Sequence, residues 1–293
     1  MNPDQPLFAH KYGPWALIAG ASEGIGKSFA EQLASRGLNL ILLARREDVL
    51  ADTARQIRER FHVEVKTQAL DLTAADLETH IDTLIVGHDI GMLVYNAGAV
   101  HGVGLFLEEP IEKALNLVRL NCVGPVVLSH KIGQRLKVRG RGGVILMSSM
   151  TALAGMAYVA TYAATKSFDM IFAESLWAEF RGYGVDAMGL IAGATQTPAM
   201  QKSGAQFGEE LGSSADKPAD APMTNVLAMD PDDVVREALA YFGQGPILIP
   251  GEKNRASAQG LRQAPRPAVI DAMSAAAAGM YGKPWPLTLR QGR

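Results

Sequence analysis

A single cysteine, Cys122, occurs among the 293 residues of the chain. One thiol forms no intramolecular disulfide, so the fold is not stapled by cystines and suits a reducing compartment. Charge of either sign is not in excess: 28 Lys and Arg against 30 Asp and Glu leave a net charge of −2. A chain so balanced has no electrostatic footprint for a polyanion, and nucleic acid is not an expected partner. No apolar run reaches the about 18 residues of a membrane span. Met1 to Trp15 has no apolar stretch of the kind that makes a secretory leader. Both absences make the cytoplasm the expected location. The six histidines fall in no metal-ligand spacing, so no metal centre is expected.

What the chain does have is 48% apolar residues and 30 glycines, a globular composition. Its length suffices for one large α/β domain or two small ones. Short apolar runs, read as strands, fall at 15–19, 38–43, 63–70, 91–95, 143–148, 185–191 and 246–250. Between them, helical spacing covers 25–36, 48–60, 74–86, 109–137, 158–181 and 231–242. Continuous apolar strands separated by helices imply βαβ units and a parallel sheet covered on both faces. The expected fold is a Rossmann-like, doubly wound α/β sheet in three αβα layers, which binds ligands at the carboxyl ends of its strands.

Two segments break the rhythm. Residues 198–229 are rich in Gly, Ser and Pro, and a loop of that length in a compact fold reads as a lid over substrate. Residues 252–293 carry seven basic residues against two acids, and 268–278 reads as a helix ended by Gly279. This basic, helical extension follows a body at 1–251 and is expected to pack on that body or on a neighbouring subunit.

The first strand runs into Gly20-Ala21-Ser22-Glu23-Gly24-Ile25-Gly26 and then a helix. Glycines allow a tight turn and bring backbone amides to a pyrophosphate at the helix N-terminus, where the dipole favours anions. The second strand ends in Ala44-Arg45-Arg46. An acid at that place would bind a ribose 2′-hydroxyl, whereas an arginine accommodates a 2′-phosphate. NADP(H) is therefore the preferred cofactor and NAD(H) the other candidate. Glu23 works against this preference, because its carboxylate would repel a 2′-phosphate. Asp71, followed by Leu72, closes the third strand and is placed to accept from an adenine amine.

Tyr162 and Lys166, four residues apart on a helix, share one face. A phenol ordinarily titrates near pH ~10, and a desolvated ammonium beside it favours the phenolate. The pair reads as a general acid/base for work near neutral pH.

These residues together resemble the short-chain dehydrogenase/reductase family, in the branch with a T-G-x-x-x-G-x-G loop and a Y-x-x-x-K pair. The resemblance also includes Asn96-Ala97-Gly98 after strand four, Asn121 in the following helix, Ser148-Ser149 ending strand five, and Gly193 with Thr197 after strand six. It implies an oxidoreductase in which Tyr162 protonates the alkoxide formed on carbonyl reduction. Lys166 would support the tyrosine and bind the nicotinamide ribose. Ser149, thirteen residues before the tyrosine, would hydrogen-bond the substrate carbonyl, and Asn121 would hold a water behind Lys166. The implied cofactor contacts are Gly20, Ser22, Glu23, Gly24, Ile25, Gly26, Arg45, Arg46, Asp71, Leu72, Asn96, Ala97, Gly98, Tyr162, Lys166, Gly193, Thr195 and Thr197. The family also implies a homodimer or homotetramer built on the helices at 109–137 and 158–181.

Departures from the pattern are Ala19 for its Thr, Tyr95 for its first Asn, Ala192 for its Pro, and Glu23 where NADP-preferring members carry a base. The expected pocket walls are Val100 to Phe106, Met150 to Tyr158 and the 198–229 segment. They are largely apolar, so the expected partner is a small hydrophobic ketone or secondary alcohol. His101 in the first wall reads as a loop residue. Two other readings stand beside this one: a catalytically silent dinucleotide-binding sensor or scaffold, and an epimerase or dehydratase acting on a sugar nucleotide.

Overall fold

The computed structural model describes residues 5–98, 103–202 and 228–287. Seven strands form one parallel sheet: β1 (Trp15–Ala19), β2 (Asn39–Ala44), β3 (Val65–Ala69), β4 (Ile90–Tyr95), β5 (Gly142–Ser149), β6 (Val185–Ala192) and β7 (Ile247–Leu248). Their order is β3-β2-β1-β4-β5-β6-β7, with every neighbouring pair parallel. The order reverses between β1 and β4, the place where a doubly wound sheet opens a crevice at its carboxyl edge.

Alternation along the strands divides the core into two layers. Ala16 and Ile18 of β1 join Phe29 and Leu33 of α2 (Gly24–Ala34), Leu50 and Ile57 of α3 (Glu47–Phe61), and Val235 and Leu239 of α9 (Pro231–Tyr241). Leu17 and Ala19 face the opposite layer, where Leu77 and Ile81 of α4 (Leu77–Leu84), Leu128 and Ile132 of α6 (Gly124–Arg139), and Leu176 of α7 (Ala160–Phe180) pack. Each such aliphatic side chain contributes about 1.5–3 kcal/mol by leaving water. A short α1 (Gln5–Tyr12), which the sequence pattern did not announce, places Phe8 and Tyr12 one turn apart with ring centroids 4.6 Å apart.

Most elements fall within a few residues of their expected bounds, and three differences have physical causes. The helix expected at 109–137 is α5 (Ile111–Val118), a π-helical turn (Arg119–Val123) and α6. Pro125 has no N–H to bond the carbonyl of residue 121 and its ring crowds that carbonyl, so the ladder widens by one residue there. Strand β7 pairs over two residues only, because Pro246 and Pro250 flank it and cannot donate to a ladder. Strand β3 is an edge strand, and only its Val65 is buried.

The C-terminal extension forms two helices, α10 (Glu252–Gln263) and α11 (Arg266–Met280), broken at Pro265. It packs on its own body. Arg255 of α10 pairs with Glu237 of α9 at 2.9 Å, and Arg266 donates to the Leu153 carbonyl at 2.8 Å. Of the expected lid, α8 (Pro198–Lys202) and residues 228–229 are described, while 203–227 lie outside the described residues. Val100 and His101 lie outside them too. Among the described residues no helix is long and apolar enough to cross a membrane, and no group of His, Cys, Asp and Glu could hold a metal ion.

Candidate active site

The turn after β1 is built on backbone contacts that leave no room for side chains. Gly20 has φ +82°, a left-handed conformation suited to glycine, and a Cβ on it would lie 2.7 Å from the Ala97 backbone. At Gly26 a Cβ would lie 1.9 Å from the Gly20 carbonyl oxygen. Asn96 Nδ2 donates to that same oxygen at 2.8 Å. Asn96, expected to line a cofactor, thereby braces the glycine turn as well. The Ser22 carbonyl accepts from Thr53 at 3.2 Å, and Ile25 packs into the core below. Helix α2 starts at Gly24 with no acid in its first turn, so its positive end faces the crevice without a carboxylate from that turn. These features fit a dinucleotide pyrophosphate at this end of the sheet.

At the end of β2, Arg46 pairs with Glu23 at 2.7 Å. The carboxylate that looked hostile to a 2′-phosphate is partly offset by this arginine. Arg45 is exposed. Asp71 accepts from the backbone N–H and the hydroxyl of Thr73 at 2.9 and 2.8 Å. The Thr73 backbone bond leads the effects that hold its carboxyl below the ordinary value, with burial opposing and Arg45 assisting. Leu72 beside it is buried in the core.

The loop after β6 returns to the glycine turn. Thr197 lies against Gly24, where a Cβ would meet the threonine Cγ2 at 2.8 Å. Its Oγ1 also accepts from the Met200 N–H at 3.2 Å, so Thr197 both borders the glycine turn and caps α8. Thr195 is buried and donates to the Gly193 carbonyl at 3.1 Å.

The Tyr162 and Lys166 pair is on α7, with the Lys166 ammonium 6.0 Å from the phenol ring centroid. Lys166 Nζ donates to the Met147 carbonyl at 2.7 Å and to Asp169 Oδ2 at 2.9 Å, all within the buried region. The two serines ending β5 have separate partners. Ser148 is buried and donates to the Lys166 carbonyl at 2.7 Å. Ser149 accepts from the Thr151 N–H at 3.2 Å, which leaves its hydroxyl proton to donate elsewhere.

Asn121 occupies the π-helical turn and is fully buried. Its Nδ2 donates to Thr165 Oγ1 at 3.0 Å, and that hydroxyl donates to the Tyr162 carbonyl at 2.9 Å. Among the described residues Asn121 Oδ1 has no partner. A buried amide oxygen left unpaired costs about 1–3 kcal/mol, which a bound water would recover. Gly98 backs onto this point, where a Cβ would lie 3.2 Å from Lys166 Nζ and 3.4 Å from Asn121 Oδ1. Asn121, Lys166 and Gly98 therefore converge at the carboxyl ends of β4 and β5.

Asp169, which belongs to no motif of the sequence, is 2% exposed and its Oδ1 has no partner among the described residues. Burial pushes its carboxyl up to about 6 although Lys166 pulls the other way. Burial also opposes the Lys166 ammonium, but the Asp169 carboxylate, with Tyr162 assisting, raises its pKa on balance. Both groups are charged at neutral pH, and the carboxylate carries the cost of burial.

A cleft beside Tyr162 is lined largely by apolar and aromatic side chains, among them Phe106, Leu107, Leu117 and Tyr158, and also by the ion pair of Glu109 and Lys113. Helix α11 closes a second side, with Met273, Ala277 and Tyr281 packed around Met156, Val159 and Tyr162. Tyr158 has φ +69° and its hydroxyl donates to the Pro284 carbonyl at 2.6 Å, while Ser274 accepts from the Ala157 N–H at 3.0 Å. The extension is thus a wall of the site, which no local pattern in the sequence discloses.

Comparison with known proteins agrees with this geometry. A profile of short chain dehydrogenases matches residues 14–207. The chain is 31% identical over 249 residues to a 7beta-hydroxysteroid dehydrogenase of Collinsella aerofaciens, covering 84% of this chain and 89% of the relative. It is 36% identical over 237 residues to a very-long-chain 3-oxoacyl-CoA reductase of Neurospora crassa, covering 80% of this chain and 66% of that one. A solved 7beta-hydroxysteroid dehydrogenase superposes with a TM-score of 0.80 at 28% identity, covering 91% of this chain and 98% of the other. A short-chain dehydrogenase of Sphingobium yanoikuyae in complex with NADPH superposes with a TM-score of 0.71 at 26% identity, covering 87% and 98%. The glycine cradle, the Tyr162 and Lys166 pair and this likeness along the sheet have one conclusion: the chain belongs to the short-chain dehydrogenase family and is an oxidoreductase of CH–OH and C=O groups that uses a nicotinamide dinucleotide.

Proposed function

We propose that this protein interconverts a hydrophobic ketone and its secondary alcohol with NADP(H), using Tyr162 as general acid/base. The observation that carries the reading is the convergence of Tyr162, Lys166 and Asn121 beside a largely apolar cleft at the carboxyl edge of the sheet. The bound nicotinamide supplies the hydride in reduction and accepts it in oxidation. The chain's own residues handle the proton and the charge. Ser149 donates to the substrate oxygen and holds it as negative charge develops. Tyr162 gives its proton to that oxygen in reduction and takes it back in oxidation. Lys166 steadies the phenolate and would hold the nicotinamide ribose with its remaining N–H, and Asn121 Oδ1 would hold a water through which the proton is replaced.

NADP(H) over NAD(H) is supported by Arg45 and Arg46 at the end of β2, with Arg46 also occupied by Glu23. Arg45→Ala should raise KM for NADPH about tenfold or more, the worth of one charge-assisted hydrogen bond, with little change for NADH. Equal effects on both, measured in parallel assays, would remove Arg45 from the 2′-phosphate site.

A steroid-like or long-acyl ketone is supported by the apolar lining and by the named activities of the relatives. The reading is tested by ranking kcat/KM for steroid, long-acyl and polyhydroxylated ketones. Preference for the polyhydroxylated ones would refute the substrate class. A homodimer or homotetramer is supported by exposed apolar side chains on the outer helices: Leu115, Val118 and Val126 on one stretch, Phe168 and Ile171 on α7.

A further inference from the structure

We propose that Asp169 is a positioning residue: its buried carboxylate fixes Lys166 and offsets part of the ammonium's charge, and so sets the pH range over which the site works. This inference rests on the role given to Tyr162 above. A buried carboxylate costs several kcal/mol unless it is paired, yet the structure holds one at 2% exposure with Oδ2 on Lys166 and Oδ1 on no described partner. The pairing leaves Lys166 with two of its three N–H groups committed, to Met147 and Asp169, and one for the site.

The groups that face Asp169 come from three elements. Lys166 is on its own helix, Cys122 on the π-helical turn, and Tyr95 on β4. Burial, with Asp169 assisting, pushes the Cys122 thiol up to about 11 and the Tyr95 phenol well above its ordinary value. The Tyr95 hydroxyl also donates to the Leu120 carbonyl at 2.6 Å. Both are neutral at working pH, so the electrostatic effect of Asp169 is exerted on Lys166 and, through it, on Tyr162.

The sign follows from charge. The ammonium favours the phenolate, and the carboxylate cancels part of that attraction. Asp169→Asn keeps the shape and removes the cancellation. The pH profile of the reaction should then move to lower pH, by about one unit. In reduction, which needs the phenol, the alkaline limb of kcat/KM should move down by that amount. In oxidation, which needs the phenolate, activity should appear that much earlier. Below about pH 6 the wild-type carboxyl is itself protonated, so the two proteins should converge there.

The deciding experiment needs no turnover. The phenolate absorbance that Tyr162→Phe removes is titrated in the wild type, in Asp169→Asn and in Asp169→Glu, alongside the pH profiles. We expect the onset to move down by about one unit in Asp169→Asn and to stay within about half a unit in Asp169→Glu. Coincident onsets in all three would overturn the proposal even if the protein reduces ketones. A shifted onset in a protein that turns over no ketone would uphold it and refute the substrate reading. Where Asp169→Asn does not fold, Asp169→Ser serves as the neutral variant. Where neither folds, the Asp169 carboxyl carbon is titrated by NMR in the wild type and in Lys166→Met. An upward move of at least about one unit is expected on loss of the lysine, and an unchanged midpoint would overturn the proposal.

Discussion

Tyr162→Phe should lower kcat by at least about a thousandfold, within the range that one general acid supplies, while NADPH binds within about twofold of the wild type. The substitution removes one oxygen and leaves the ring, which packs against Met156, Val159 and Met273. It leaves Lys166 with its bonds to Met147 and Asp169. The fold, the glycine turn and the cofactor cradle therefore stay as they are, and the proton that must reach the developing alkoxide has no donor. Water in the cleft is a weak substitute, because among the described residues no other acid is placed at the substrate oxygen in the proposed arrangement. Steady-state kinetics and a fluorescence titration with NADPH separate the two effects. Retention of more than a few per cent of the activity would show that Tyr162 is not the acid.

Gly26→Ala should weaken NADPH binding by about a hundredfold or more. The new methyl would stand 1.9 Å from the Gly20 carbonyl oxygen and 2.6 Å from Asn96 Nδ2. Neither is the free end of a flexible side chain. Gly20 is held by hydrogen bonds from its N–H to the Leu43 carbonyl at 2.8 Å and from Asn96 to its own carbonyl at 2.8 Å. Ala97 blocks its retreat. The turn must open, at an overpacking cost of about 1–3 kcal/mol with a brace of about 1 kcal/mol lost besides. The amides at the start of α2 then no longer converge on the pyrophosphate. Gly182→Ala, where a Cβ meets nothing within 4 Å, is the control and should bind NADPH as the wild type does. Near-wild-type affinity in Gly26→Ala, by calorimetry on a protein of unchanged circular dichroism, would show that the turn does not hold the cofactor.

The parts of the site that could be read from the sequence are those whose chemistry is local. A glycine turn between a strand and a helix, a phenol and an ammonium one turn apart, and two serines at a strand end each announce themselves within a few residues. Sheet topology followed from apolar runs separated by helices for the same reason. The parts that could not be read depend on chain segments far apart in sequence. Asp169 is an ordinary surface residue by type, and only the fold shows that its helix turns it inward against Lys166. That Asn96 braces the glycine turn could not be read, because its partner, Gly20, is 76 residues away. Helix α11 reads from sequence as a tail, yet it closes the pocket beside Tyr162, more than one hundred residues upstream. Pro125 carried a legible signal: a proline four residues after Asn121, inside a helical pattern, marks the place where the ladder opens.

The most direct test of the account is the fate of the hydride. Purified protein is incubated with a steroid ketone and NADPH carrying deuterium at the transferring position, and the product is examined by mass spectrometry. The account predicts a secondary alcohol with deuterium on its carbinol carbon, formed by the wild type and not by Tyr162→Phe. Tight binding of NADPH with no labelled alcohol from any ketone or long-acyl substrate would contradict it.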